Sequence, residues 1–155
     1  MVTLKLAKPD NAKELGVLFN ECFTVYHGCD TEGYTVEECT EYFRNRKCRD
    51  TVIGIYDGNI IGFCTFGKAE DEYFRDAGCV EYIMVKKDYQ RLGDGRRILH
   101  EAIRQLRRQE YSRVMCWLDS ENEDAVGFFK ALGFIFTGEE KKDGELTLQK
   151  YFRTI

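Results

Sequence analysis

A glycine-containing turn in the middle of the chain combines the features of an anion-binding site. Gly93 and Gly95 follow a strand-like apolar segment, residues 80–85, and come directly before a helical pattern. The first amides of a helix have no acceptor within it, and the helix dipole makes that end positive. Glycines leave room for a phosphate group near the backbone, and Arg91 and Arg96 add positive charge. The sequence therefore predicts a phosphate-binding turn.

Two common nucleotide-binding motifs do not match this turn. A Walker A loop requires Lys and then Ser or Thr after its last glycine, and two arginines follow Gly95. A dinucleotide-binding fingerprint requires a third small residue three positions later, where Ile98 stands. The pattern that does match is Gln/Arg-x-x-Gly-x-Gly/Ala, which is met by Gln90, Gly93 and Gly95.

Composition narrows the classes of protein to which the chain can belong. A length of 155 residues with 43% hydrophobic residues predicts a single domain, 1–155, with a full core. The net charge of −4 argues against a general nucleic-acid binder. We expect a cytoplasmic protein, because the chain has neither a membrane-length apolar run nor the apolar core of a signal peptide. The 7 cysteines are scattered without a Cys-x-x-Cys pair, which predicts reduced thiols and no metal site.

Hydrophobic periodicity predicts the elements that would position the turn. The predicted strands cover residues 3–7, 51–56, 60–66, 80–85, 113–118, 134–137 and 145–152. Four helices lie between them: one around residues 15–23, one over 36–46 capped by Thr35, one after Gly93, and one that opens with a Ser120-x-x-Glu123 capping box and runs through Leu132. The resulting order is β-α-α-β-β-β-α-β-α-β-β, an α/β pattern with mixed strand pairing.

A second motif accompanies the glycine turn. It reads Asn-x-x-Ala-x-x-Phe-Phe-Lys-Ala-Leu-Gly-Phe over residues 122–134. With the Gln90 motif and the element order, it makes nearly the whole chain resemble the GNAT superfamily of N-acetyltransferases. The resemblance implies a GNAT-like (acyl-CoA N-acyltransferase) α/β fold, with a mixed central sheet of about seven strands and four helices. It also implies acetyl-CoA as the acyl donor.

The resemblance assigns parts of the donor to particular residues. The backbone of residues 83–85 would pair with the pantetheine arm, and the turn from Gln90 to Arg96 would hold the pyrophosphate. Asn122 matches the asparagine near the pantetheine, and Lys130 or Arg97 would contact the 3′-phosphate. The full set of expected cofactor-binding residues is Ile83, Met84, Val85, Gln90, Arg91, Leu92, Gly93, Asp94, Gly95, Arg96, Asn122 and Lys130.

Glu81 is the candidate catalytic base. An amine with a pKa near about 10 is mostly protonated at neutral pH, so a base must remove a proton before it can attack. Glu81 is the carboxylate of the apolar run 80–85, on the strand face of Ile83 and Val85. Some relatives, including the spermidine/spermine type, have their catalytic glutamate at the matching place. A carboxylate on a half-buried strand is expected to bind a proton more readily, which suits a base. A glutamate exposed at a sheet edge or held in a structural ion pair is the equally open alternative.

Phe129 departs from the family pattern. Many relatives have a tyrosine there that protonates the leaving thiolate, and a phenyl ring cannot donate a proton. A thiolate with a pKa of about 8.5 can leave without an acid, so a slower enzyme, another acid or water remain open. The sequence does not rank the available tyrosines, which are Tyr82, Tyr89, Tyr111 and Tyr151. The resemblance implies an acetyl-CoA-dependent N-acetyltransferase acting on a primary amine by direct attack. The alternative is a non-catalytic acyl-CoA-binding or regulatory module.

The acceptor is expected to be a small-molecule or peptide amine, with no nucleic-acid or membrane partner. Relatives commonly form dimers, so a homodimer is a further expectation. Acidic residues cluster around the loop and second helix that border the acceptor site in this family, namely Asp30, Glu32, Glu37, Glu38 and Glu41. They could attract a cationic acceptor, or they could form an ordinary solvated face.

Overall fold

The computed structural model describes residues 1–27, 35–46 and 50–155. Its elements, in chain order, are β1 (Thr3–Leu6), α1 (Ala12–His27), α2 (Val36–Asn45), β2 (Thr51–Tyr56), β3 (Asn59–Lys68), β4 (Ala77–Val85), α3 (Asp94–Arg108), β5 (Arg113–Asp119), α4 (Glu123–Ala131), β6 (Ile135–Asp143) and β7 (Leu146–Thr154). The predicted order of strands and helices is confirmed.

The strands form a mixed, seven-stranded sheet in the order β1-β2-β3-β4-β5-β7-β6. The pairing of β4 with β5 is parallel. Antiparallel ladders join β1 to β2, β2 to β3, β5 to β7 and β6 to β7. This arrangement confirms the expected fold class. The chain divides into two compact units. The first unit comprises Met1–Phe66 and Tyr82–Arg104, and the second unit comprises Gly67–Glu81 and Gln105–Ile155.

The first unit has a core of aromatic and aliphatic side chains from its helices and strands. Leu15 of α1, Phe43 of α2 and Phe63 of β3 are each 0% exposed. The two helices approach closely at Gly16, where an added Cβ would lie 2.7 Å from the backbone nitrogen of Thr40. A side chain at this position would force the helices apart, so the glycine is a packing requirement.

The second unit packs its helical and strand segments with a similar close approach. Gly78 of β4 lies so near Leu106 that an added Cβ would be 2.5 Å from Cδ2 of that leucine. Next to this contact, Asp76 accepts a hydrogen bond from Nε of Arg113 at 3.1 Å. The guanidinium of Arg113 also stacks over the Phe74 ring, 4.2 Å from its centroid. These contacts hold the segment between β3 and β4 against the start of β5.

Local capping and turn signals agree with the structure at two points. The Thr35 hydroxyl accepts the Glu38 amide at 3.1 Å, which confirms the predicted cap of α2. The hairpin between β2 and β3 turns at Asp57 and Gly58, with φ of 50° and 77°. Two successive positive φ values characterise a type I′ turn, for which a short polar residue followed by glycine is favoured.

Several predicted boundaries are wrong, among them the start of β4, which lies at Ala77 rather than at residue 80. The helix α4 begins at Glu123 with Asn122 as its cap, so the predicted Ser120-x-x-Glu123 capping box does not form. The predicted strand 134–137 is too short, because β6 continues to Asp143. Its lysines have local partners, since Lys141 Nζ lies 4.1 Å from the Trp117 ring centroid.

Five of the 7 cysteines lie in the described part of the chain. Cys22, Cys39, Cys64, Cys79 and Cys116 are free thiols. Cys29 and Cys48 lie outside the described part of the chain. Within that part, none of the helices combines the length and apolar character needed to cross a bilayer.

Candidate functional site

The glycine turn connects the end of β4 to the start of α3 in the first unit. A short 3-10 turn, Lys87–Tyr89, follows the strand. The chain then bends through two left-handed residues, Arg91 with φ of 63° and Gly93 with φ of 90°. The first helical hydrogen bond runs from the Arg97 amide to the Gly93 carbonyl, at 3.1 Å. Glycine suits the positive φ at residue 93, whereas a positive φ is uncommon for an arginine such as Arg91.

The start of α3 presents donors of the kind that bind an anion. The amides of Asp94, Gly95 and Arg96 precede the first helical bond, so they have no acceptor within the helix. A Cβ added at Gly93 would meet no atom within 4 Å, which shows open space beside the turn. The side chains of Arg91 and Arg96 are exposed next to it. A phosphate-bearing ligand fits this combination of open space, amide donors and cationic side chains.

Two side chains in the predicted binding set have structural roles. The amide group of Gln90 donates from Nε2 to the Val85 carbonyl at 2.9 Å, which closes the turn. The buried carboxylate of Asp94 lies 3.5 Å from Nη1 of Arg97. That same nitrogen donates to the Val2 carbonyl at 3.0 Å and so ties α3 to the N-terminal segment. Arg97, a candidate for the 3′-phosphate, therefore already has contacts within the protein.

Gly62 of β3 allows β4 and α3 to pack close to it. A Cβ at Gly62 would lie 2.9 Å from the Met84 carbonyl and 3.0 Å from Cδ1 of Ile98. The strand before the turn and the helix after it thus pack on the same small residue. This packing sets the position of the turn within the first unit.

The backbone of β4 has two edges, and the hydrogen bonds identify the one that faces β3. The Lys86 amide donates to the Ile61 carbonyl at 2.8 Å. The Tyr82 amide donates to the Thr65 hydroxyl at 3.1 Å. Because backbone groups alternate along a strand, the polar groups of Ile83 and Val85 lie on the opposite edge. Met84, included in the predicted pantetheine-binding segment, directs its backbone groups towards β3.

Glu81 is an exposed residue of β4, which agrees with the alternative of a glutamate in contact with solvent. Its neighbour Val80 is 3% exposed and Met84 is 6% exposed. Side chains alternate between the faces of a strand, so Val80 and Met84 lie on the face opposite Glu81, whose own face also carries the buried Val85, 7% exposed. An exposed carboxylate is accessible to an amine in solution.

In the second unit, Asn122 caps the helix that carries the second motif. Its Oδ1 accepts the Ala125 amide at 3.1 Å, and its side-chain nitrogen is a separate donor group. Lys130, further along α4, is exposed. Phe129 is 3% exposed. Its ring packs edge-on against Phe134 with 5.0 Å between the ring centroids, so an apolar group occupies this position.

The tyrosines considered as acids differ in exposure. Tyr151 is 2% exposed, whereas Tyr82 is 36% exposed. The ring of Tyr89 lies 5.8 Å from that of Tyr56, and Tyr111 is partly exposed. These positions do not assign the acid.

The acidic cluster predicted near the acceptor is partly neutralised. Glu37 forms an ion pair with Lys13 at 3.5 Å, and Glu41 forms one with Arg44 at 2.5 Å. Asp30 and Glu32 lie outside the described residues. Glu37, Glu38 and Glu41 are all exposed, and two of the three have counter-ions of their own.

Sequence reasoning missed Thr65. The hydroxyl of this residue is buried beside β4, where it accepts the Tyr82 amide. A polar residue in the otherwise apolar run of β3 is a weak signal, because threonine is also common in ordinary strands. The hydrogen bond itself depends on the register between two strands and could not be read from spacing.

Comparisons with known proteins show the family to which the chain is similar. Residues 13–134 match the Acetyltransferase (GNAT) family. Among curated sequences, none is similar enough to the chain to count as a match. A ribosomal-protein-alanine N-acetyltransferase from Brucella melitensis has a similar fold, with a TM-score of 0.80 and 19% identity, covering 99% of each chain.

Two further solved structures hold a ligand. The PaiA N-acetyltransferase from Thermoplasma acidophilum, in complex with coenzyme A, has a TM-score of 0.74 and 16% identity over 97% of this chain and 98% of that chain. YncA from Salmonella typhimurium, with its cofactor acetyl-CoA, has a TM-score of 0.78 and 19% identity over 99% of this chain and 94% of that chain.

Proposed function

This chain belongs to the GNAT family of acetyltransferases, and we propose that it transfers an acetyl group from acetyl-CoA to a primary amine. The observation that carries the proposal is the turn before α3, with its left-handed Gly93 and the open space beside it. Relatives of the same fold hold coenzyme A or acetyl-CoA in their structures. Such a ligand bears the phosphates for which the turn is suited.

The donor would be held mainly by backbone groups. The amides from Arg91 to Arg96 would bind the pyrophosphate, with Gly93 providing the close approach. The edge of β4 that carries the polar groups of Ile83 and Val85 would pair with the pantetheine amides, as an added strand does. Asn122 and Lys130 are further proposed contacts, to the pantetheine and the 3′-phosphate.

Acetyl-CoA would supply an activated acyl group as a thioester. The amine must lose a proton before it attacks, since its pKa of about 10 keeps it protonated near neutral pH. We assign this proton removal to Glu81, whose exposed position allows an ammonium group to reach it. The proton leaves the nitrogen for the carboxylate, directly or through one water molecule. Phe129 cannot return a proton to the departing sulfur, which would leave as a thiolate.

The acceptor would be a small-molecule or peptide amine. The ion pairs of Glu37 and Glu41 offset part of the negative charge on α2. Attraction of a cationic acceptor by the remaining charge is tested by including polyamines among the amines assayed.

The experiment that tests the proposal measures CoA release from acetyl-CoA in the presence of a panel of amines. The panel should include polyamines, amino acids, aminoglycosides and peptides with free N-termini, with mass spectrometry to identify the acetylated product. We expect turnover with at least one amine, and coenzyme A binding detectable by calorimetry. Coenzyme A binding without turnover on any amine would favour a non-catalytic module, and absence of both would contradict the donor assignment.

A further inference from the structure

The Thr65 hydroxyl is a buried hydrogen-bond acceptor shared by two elements of the first unit. The residue is 0% exposed in β3. Its Oγ1 accepts the backbone amide of Tyr82, in β4, at 3.1 Å. It also lies 3.4 Å from the Tyr42 hydroxyl of α2, which donates to it. Because the buried hydroxyl accepts from both elements, it constrains the local geometry of β4.

The amide that Thr65 holds belongs to the peptide unit joining Glu81 to Tyr82. That unit is planar and trans, so fixing the direction of its N–H also fixes the direction of the Glu81 carbonyl. The Cα of Glu81 is one corner of the same plane. Rotation of the plane about the axis joining the two Cα atoms would change the direction of the Cα–C bond of Glu81, and with it the direction in which the side chain projects.

Aromatic packing restrains the other side of this peptide. The Tyr82 ring meets Phe19 edge-on, with 4.9 Å between the centroids, and lies 5.8 Å from the ring of Tyr42. Tyr42 thus contacts Tyr82 through its ring and Thr65 through its hydroxyl. The side chain and the backbone of Tyr82 are held by neighbouring groups.

We propose that Thr65 is a positioning residue, which orients the Glu81 carboxylate by holding the Glu81–Tyr82 peptide. The inference rests on the proposed function, because it requires Glu81 to act as the base. Thr65 itself touches neither substrate. Loss of its hydroxyl should lower the rate of the chemical step while leaving donor binding at the turn unchanged.

The chain offers a closely matched control in Thr51. This residue lies directly opposite Thr65 in the ladder between β2 and β3, and it is also 0% exposed. Its hydroxyl has no hydrogen-bond partner in the part of the chain that the structure describes. Substitution by valine, which is nearly isosteric, therefore removes a bonded hydroxyl at Thr65 and an unbonded one at Thr51.

The experiment compares Thr65→Val, Thr65→Ser and Thr51→Val with the wild type. Exchange of the Tyr82 amide is followed by NMR, kcat by CoA release, and donor affinity by calorimetry. For Thr65→Val we expect amide exchange at least about tenfold faster and kcat about tenfold lower, with the dissociation constant for CoA within about twofold. Thr65→Ser should restore both properties, and Thr51→Val should match the wild type in all three.

Three results would overturn the inference. One is wild-type exchange of the Tyr82 amide in Thr65→Val. Another is a normal kcat despite faster exchange. The third is an equal loss of kcat in Thr51→Val, which would indicate a general effect of core substitution. The wild type alone shows whether the proposed function fails, because it then has no turnover and Thr65 has no role in catalysis. The exchange data report separately whether Thr65 holds the peptide.

Discussion

The Nζ atom of Lys150 lies 2.6 Å from Oδ2 of Asp71, and the lysine side chain is only 1% exposed. The same nitrogen pairs with Glu139 and lies 4.6 Å from the centroid of the Phe74 ring. Burial acts to lower the pKa of Lys150, but its hydrogen bonds to the two carboxylates raise the pKa above its ordinary value. Because the buried ammonium group of Lys150 is paired with two carboxylates, we expect these ion pairs to stabilise the second unit.

Lys150→Met should lower the free energy of unfolding by about 2–4 kcal/mol, because it leaves the largely buried Asp71 carboxylate without its cation. Urea unfolding measures the change. Lys142→Met, at an exposed lysine of β6, serves as the control and should change stability by less than about 0.5 kcal/mol. Equal effects of the two substitutions would show that the buried ion pair makes no special contribution.

Acid should weaken the contact between Asp76 and Arg113. Hydrogen bonds from Arg113 and Ser112 hold the pKa of Asp76 well below its ordinary value. The contribution is therefore complete above the unfolded-state pKa of about 3.9 and is lost as pH falls towards the lower folded-state value.

Asp76→Asn should be less stable than the wild type at pH 7, and its stability should fall less steeply between about pH 5 and pH 2. Urea unfolding at several pH values checks this, and added salt should reduce the difference because the pair is exposed. Asp57→Asn, in the exposed hairpin turn, is the isosteric control and should retain the pH dependence of the wild type. A wild-type slope in Asp76→Asn would contradict the assignment.

Gly93→Ala should weaken binding of coenzyme A by at least about tenfold, because a Cβ would occupy the open space beside the turn and strain the left-handed backbone. Gly58→Ala is the matched control: it also has positive φ and open surroundings, but it lies in the β2–β3 hairpin. Both variants should lose about 1–2 kcal/mol of stability. Calorimetry should find weaker binding in the Gly93 variant alone, and equal affinities would remove the turn from the donor site.

Phe129→Tyr should raise kcat by up to about tenfold, since it restores a hydroxyl at the position where many relatives have their acid. The ring sits in an apolar cluster, so the added hydroxyl should also cost about 1–2 kcal/mol of stability. Phe134→Tyr places a hydroxyl in the same cluster, so it should lower the stability by a similar amount without raising kcat. Steady-state kinetics with the best acceptor decide the point, and an unchanged or lower kcat in Phe129→Tyr would show that the sulfur needs no acid here.

Local signals in the sequence were sufficient for the element order, the hairpin turn and the cap of α2. Each depends on neighbours within a few residues, as with Asp57 and Gly58. The start of α4 was misplaced because Ser120 and Asn122 are both good capping residues, and spacing alone does not choose between them. The length of β6 was missed because this edge strand is exposed along almost its whole length and so lacks hydrophobic alternation.

The site shows the same division between local and long-range information. The glycine turn was predictable because glycine at positive φ and a helix start are local features. The exposure of Glu81 could not be predicted, because it depends on which side chains from distant parts of the sequence pack against β4. The Lys150–Asp71 pair joins residues 79 positions apart, and no local pattern reveals a contact over that separation.

The most direct test of the central claim is the kcat of Glu81→Gln with acetyl-CoA and the preferred amine, measured beside the affinity for coenzyme A. If Glu81 is the base, kcat should fall by about 10²–10⁴-fold while the affinity for coenzyme A stays at the wild-type value. A variant that keeps the wild-type kcat would contradict the role of Glu81 in removing the proton from the amine.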